Sequence, residues 1–198
     1  FDYVFNEIPN KHSIFDYDEF YKYDGKVLAG AFNVETGEVE YFDKDKLDEK
    51  NTILKASCSI PLLFPFVNIE DKYYADGGLS NPIPIYKSIE DGNDKNIIVL
   101  TRNIDYRKKK SKANQIAYKV YKKKYPKLAE VLAKRHIEYN KELEFCNELE
   151  NKGNAIVLRP TIPMDVGRFE RDKVKLRNIY NNGYDLVIEN KEKILEFL

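Results

Sequence analysis

Cysteine, histidine and long apolar runs are scarce in this sequence, and each scarcity removes a class of protein. Only Cys58 and Cys146 could form a bridge. A chain of 198 residues needs no such staple, because at this size roughly 70% of the unfolded surface is buried on folding. Both cysteines are therefore expected to be free thiols at buried helix positions, in a reducing compartment. Two histidines and no C-x-x-C pattern leave no closed zinc set. No apolar run approaches the roughly 20 residues that cross a bilayer as a helix, and no signal-like apolar segment follows Phe1. Walker loops, G-x-G-x-x-G, H-E-x-x-H and G-x-S-x-G are all missing. Net charge is missing too, since 33 Lys and Arg balance 33 Asp and Glu.

What is present excludes disorder: 42% of residues are hydrophobic, including 15 Tyr and 11 Phe. The length suits one domain with an appendage, divided as 1–106 and a helical extension, 107–198. The zero net charge conceals a split. Between Arg107 and Arg135 stand 12 Lys and Arg opposed only by Glu130, whereas the first 55 residues lean acidic. That basic stretch is either a solvated helix face or a docking surface for anionic lipid, where each Lys or Arg contributes about 1 kcal/mol. Nucleic acid is not expected as a partner, because Tyr106, Tyr118, Tyr121 and Tyr125 fall mostly at helical spacing, which suits core contact as well as base stacking.

Hydropathy patterning predicts strands over Lys26–Val34 and Val39–Phe42, joined by a turn at Glu35-Thr36-Gly37-Glu38. A helix is expected over Asp48–Ser59, ended by Pro61. Short strands over 66–69 and 73–75 and a helix over Ile83–Asp91 follow. The apolar runs Asn96–Thr101 and Ala155–Leu158 read as strands buried on both faces of a parallel sheet. Between them, Leu128, Leu132, Tyr139, Leu143, Cys146 and Leu149 or Glu150 trace one helical stripe. His136 lies on it, as a hydrogen-bonded packing residue. Helix resumes over Arg171–Leu198, with a possible break at Gly183. Strand-helix alternation of this kind predicts a layered α/β fold.

Chemistry concentrates in Ala56–Ile85. Asp76-Gly77-Gly78 alone is an ordinary tight-turn signal. Here it ends a strand, where α/β sheets place their sites, and Asn81-Pro82-Ile83-Pro84 restrains the exit. A rigidly mounted carboxylate is what a general base needs. Ile60–Phe66 could line an acyl-chain groove or belong to the core.

These residues resemble the patatin-like phospholipase family, in its bacterial branch with a helical C-terminal extension. The resemblance is carried by Ala56–Pro61, Phe64-Pro65, Tyr74–Gly78 and Asn81–Pro84, and less strictly by Phe5–Pro9, Asn33–Gly37 and Arg135–Asn140. It implies a layered α/β sandwich, incomplete in this chain, and lipid acyl hydrolysis by a Ser-Asp dyad without metal or organic cofactor. Asp76 carries over as the catalytic aspartate, with Gly77 and Gly78 forming its motif turn. The resemblance places the nucleophile serine and a Gly-rich oxyanion loop N-terminal to these residues, and neither is present. The chain is thus expected to be the C-terminal part of a larger catalytic domain, inactive alone, acting on lipid in the cytoplasm or at a membrane surface. A non-catalytic lipid- or partner-binding module is the alternative.

Overall fold

The structure, a computed structural model, describes residues 2–167 and 169–198. A π-helical turn over Tyr3–His12 and helix α1 (Tyr17–Lys22) precede strands β1 (Leu28–Asn33) and β2 (Val39–Asp43). Helix α2 (Thr52–Ser57) leads into strands β3 (Val67–Ile69) and β4 (Lys72–Asp76). Helix α3 (Ile85–Glu90), strand β5 (Asn96–Val99) and helix α4 (Lys112–Tyr121) follow. The long helix α5 (Pro126–Asn151), strand β6 (Ala155–Leu158) and helices α6 (Lys173–Glu189) and α7 (Lys191–Phe197) complete the order. The fold is mixed α/β, as the alternation predicts, and the chain groups into two compact units.

The first unit comprises Phe1–Ile83 and Lys109–Tyr139. Its antiparallel sheet has the order β2-β1-β4-β3. Asn33 shapes the β1–β2 connection: its Oδ1 accepts from the amides of Glu35 and Thr36 at 3.0 and 3.2 Å. Gly37 then takes a φ of 82°, a left-handed value open to glycine without a steric penalty. Successive strand residues point to opposite faces, so each face builds its own core. Phe32, Val34 and Ala75 cluster with Leu79, with Ala117 of α4 and with Leu128 and Leu132 of α5. On the other face Ala31 and Tyr74 pack against Ala56 of α2. Helices therefore cover both faces of the sheet.

Helix α2 is shorter than the patterning predicts. Asn51 sits in the left-handed region at φ 54°, so helical geometry cannot extend back through it. Asp48 instead caps the start, accepting from the Thr52 amide and hydroxyl at 2.8 Å each. Where α2 ends, the chain turns and Cys58 is exposed, contrary to the expected buried position. Cys146 is free and buried, as expected. Burial first, and then the Glu142 carboxylate, push its thiol up to about 11.

The second unit comprises Pro84–Lys108 and Asn140–Leu198. Strands β5 and β6 pair in parallel, from Asn96 opposite Ala155 to Val99 opposite Leu158. Burial on both faces holds for β6 but not for β5, where Ile97 and Val99 are 40% and 72% exposed. Those two side chains share the half-exposed face of β5. Leu143, Cys146 and Leu149 are buried along α5, and Tyr86 stacks on Phe145 with ring centroids 4.7 Å apart. The buried Arg159 side chain pairs with Glu150 and donates to Asn147 at 2.6 Å. Gly183 does not break the terminal helix. Helix α6 runs through it to Glu189, and the interruption falls at Asn190, whose side-chain amide donates to the Leu186 carbonyl at 2.8 Å.

Candidate active site

Asp76 is the last residue of β4 and lies opposite Ala31 of β1. Its amide donates to the Ser59 carbonyl at 2.9 Å, which ties the strand end to the turn after α2. Its carboxylate accepts from the Gly78 amide at 2.8 Å, capping the single 3-10 turn Gly77–Leu79. The residue is half-buried.

The two glycines have different duties. A Cβ at position 77 would stand 2.4 Å from the Gly30 carbonyl oxygen, so the turn lies directly on the backbone of β1, where only glycine fits. Gly78 presents its carbonyl to Arg135 of α5, whose Nε donates at 2.7 Å. Beyond the turn, the Asn81 side-chain amide donates to the Tyr41 hydroxyl at 2.7 Å. The Asp76 turn is thus held from β1, from β2 and from α5.

Arg135 is the residue that counting motifs misses. In sequence it reads as one more cation of a basic stretch, or as part of Arg135–Asn140. Its contact with Gly78 spans 57 residues, and no local pattern encodes that approach. His136, next to it, is half-buried, and among the described residues its side chain makes no hydrogen bond, contrary to the packing role expected.

Cys58 shares the neighbourhood. Although the residue is exposed, surrounding atoms crowd its thiol. Desolvation first, and then the Asp76 carboxylate, raise its pKa. A thiol held protonated is a weak nucleophile. Ser59 is no better placed, being fully buried with its hydroxyl donating to the Lys55 carbonyl at 2.8 Å. The stretch after it divides: Leu62 and Leu63 are about half exposed, whereas Phe66 packs against Tyr121 and Tyr125. Among the described residues, no group of three or more His, Cys, Asp or Glu could hold a metal ion. No described helix is long and apolar enough to cross a membrane.

Residues 9–87, which include the whole Asp76 turn, match the family model of patatin-like phospholipase. The chain carries a patatin-like segment. Residues 125–198 match a model described only as a domain of unknown function, DUF6363. No curated protein matches the chain. The patatin-like family is one of lipid acyl hydrolases acting on lipid substrates, and the mixed α/β architecture with C-terminal helices is consistent with a patatin-like fold. Arg135 falls outside the patatin-like match, within the second segment.

Proposed function

We propose that the patatin-like segment supplies Asp76 as the general base of a Ser-Asp lipid acyl hydrolase. The observation that carries the reading is the mounting of the carboxylate: a strand end, a turn lying on the backbone of β1, and a guanidinium clamp on the Gly78 carbonyl. None of the six serines in these 198 residues stands in a G-x-S-x-G setting, so the nucleophile comes from outside them. The chain then acts as part of a larger catalytic unit, with 1–106 as its catalytic portion and 107–198 as its helical extension.

In this mechanism the serine oxygen attacks the ester carbonyl carbon while its proton passes directly to Asp76. Collapse of the tetrahedral adduct breaks the bond to the leaving alkoxide, which takes the proton back from Asp76. Water then attacks the acyl-enzyme, with the same carboxylate accepting its proton; the bond between the serine oxygen and the acyl carbon breaks, Asp76 returns the proton to the serine oxygen, and the carboxylic acid leaves. Backbone amides at the developing oxyanion would supply several kcal/mol. No step calls for a metal or organic cofactor.

Hydrolysis of a short-chain nitrophenyl ester by the full-length gene product tests this. Asp76→Asn is expected to lower kcat/KM by about a thousandfold or more, as for removal of one member of a catalytic unit. Turnover like that of the unaltered protein would sink the assignment. A second reading, a non-catalytic lipid-binding module at a membrane surface in the cytoplasm, is favoured by the exposed lysines of 107–135. It predicts no ester turnover before or after the substitution.

A further inference from the structure

Between Tyr106 and Ala129 the sequence has ten Lys and Arg and no acidic residue. Helix α4 lies inside this stretch, and its inward face is fixed by three contacts. Ala117 is buried, the Asn114 side-chain amide donates to the Leu132 carbonyl at 3.2 Å, and the Tyr121 hydroxyl accepts from the Leu62 amide at 3.3 Å. With that face settled, 3.6-residue periodicity places Lys112, Ile116, Lys119 and Val120 together on the opposite side, and exposed Lys123 stands in the turn that directly follows the helix. Ile116 and Val120 are 57% and 56% exposed. Among the described residues, none of Lys112, Lys119, Lys122 and Lys123 has an ion-pair partner.

Two unusual features therefore share one helix face: cations without counter-charges, and an uncovered pair of β-branched side chains one turn apart. A polyanion groove would account for the first and leave the second without purpose. An apolar protein partner would account for the second and leave the lysines unpaired. A leaflet of anionic lipid takes both, because phosphates meet the ammonium groups while the apolar pair enters the boundary between headgroups and acyl chains. Lysine stems are long enough to lie along that boundary with their heads in water.

We propose that the outward face of α4 docks on an anionic lipid surface, seating Ile116 and Val120 at its interface. For its purpose, though not for its geometry, this rests on the lipid-hydrolase reading. Tyr121 anchors the exposed Leu62–Leu63 turn beside the helix, and that turn begins three residues after Ser59, whose carbonyl holds the Asp76 amide. Docking through α4 thus brings lipid to the flank of the Asp76 turn.

These 198 residues hold no tryptophan, so Ile116→Trp adds a fluorophore at the contact, and its emission is read as the difference from that of the unaltered protein. With vesicles of phosphatidylglycerol and phosphatidylcholine its emission is expected to shift to the blue. With phosphatidylcholine alone, or at 1 M salt where the Debye length falls to about 3 Å, the shift is lost. Lys119→Gln combined with Lys123→Gln should weaken vesicle affinity about thirtyfold, at about fivefold per lysine, with an unchanged circular dichroism spectrum. Absence of the blue shift, affinity indifferent to the two lysines, or a response to duplex RNA in place of vesicles would overturn the proposal. Turnover of a soluble ester should be the same in these variants and in the unaltered protein. Failure of the unaltered protein to bind anionic vesicles while it still turns over the soluble ester rejects the docking surface alone, and loss of turnover only in Asp76→Asn tests the dyad separately.

Discussion

At the scale of single residues, the Asp76 turn is defined by what cannot replace its parts. Gly77→Ala would drive a methyl group into the Gly30 carbonyl. Such overpacking against backbone is expected to cost roughly 1–3 kcal/mol, read as a lower urea midpoint at unchanged slope. Arg135→Met removes a charged donor from the Gly78 carbonyl, an interaction worth about 1.5–3 kcal/mol. In the full-length gene product its effect on ester hydrolysis should fall on kcat with KM nearly constant, since Arg135 positions the turn. Cys58 reports on the neighbouring charge. Burial and then Asp76 raise its thiol pKa, so Asp76→Asn lifts the second restraint and lowers that pKa. More thiolate is present at a given pH, and iodoacetamide should alkylate Cys58 faster in the variant, with the buried Cys146 protected. Equal rates would mean that the carboxylate does not act on the thiol.

At the scale of elements, the β1–β2 hairpin carries a polar network that links stability to pH. Burial disfavours the Glu40 carboxylate, but donors from Tyr74 and Asn33, each at 2.7 Å, outweigh it and hold its pKa below the usual range. A depressed folded pKa contributes stability above the unfolded value, near 4.3 for an ordinary Glu. That contribution is lost as pH falls through the folded value. Acid unfolding of Glu40→Gln should therefore be less steep below about pH 4.3, and an unchanged profile would remove Glu40 from the account. Helix α6 offers the opposite case: a Cβ at Gly183 would meet nothing within 4 Å. Gly183→Ala is expected to stabilise the helix by about 1 kcal/mol, seen as higher helicity on thermal melting.

These elements also show what the sequence makes legible. Strands β1 and β2 follow from alternating apolar residues around an Asn-to-Gly turn, a short-range signal. Asp76 stands out because consecutive glycines and prolines are local restraints. The limits of α2 depend on one left-handed Asn51, which propensity does not foresee. The half-exposed face of β5 depends on what covers it, and an apolar tetrad reads the same either way. Arg135 reaches Gly78 only through the packing of α5 on the sheet. Where a residue's role depends on contacts distant in sequence, pattern alone falls silent.

At the scale of the whole molecule, charge and chain path are both interleaved. The balance of 33 against 33 coexists with an acid-free helix, so the electrostatic behaviour of the protein is local. The two compact units are likewise assembled from alternating stretches of chain. The core that joins Phe32, Val34 and Ala75 to Leu128 and Leu132 takes its residues from both matched segments, 9–87 and 125–198. Removing 125–198 should therefore leave the patatin-like segment unable to fold, visible as lost cooperativity in urea and as rapid proteolysis. A compact, protease-resistant product would contradict this. Seen as heredity, the shared core couples two stretches that family models treat as separate. Recombination that parts them would strip the sheet of the helices that cover one face.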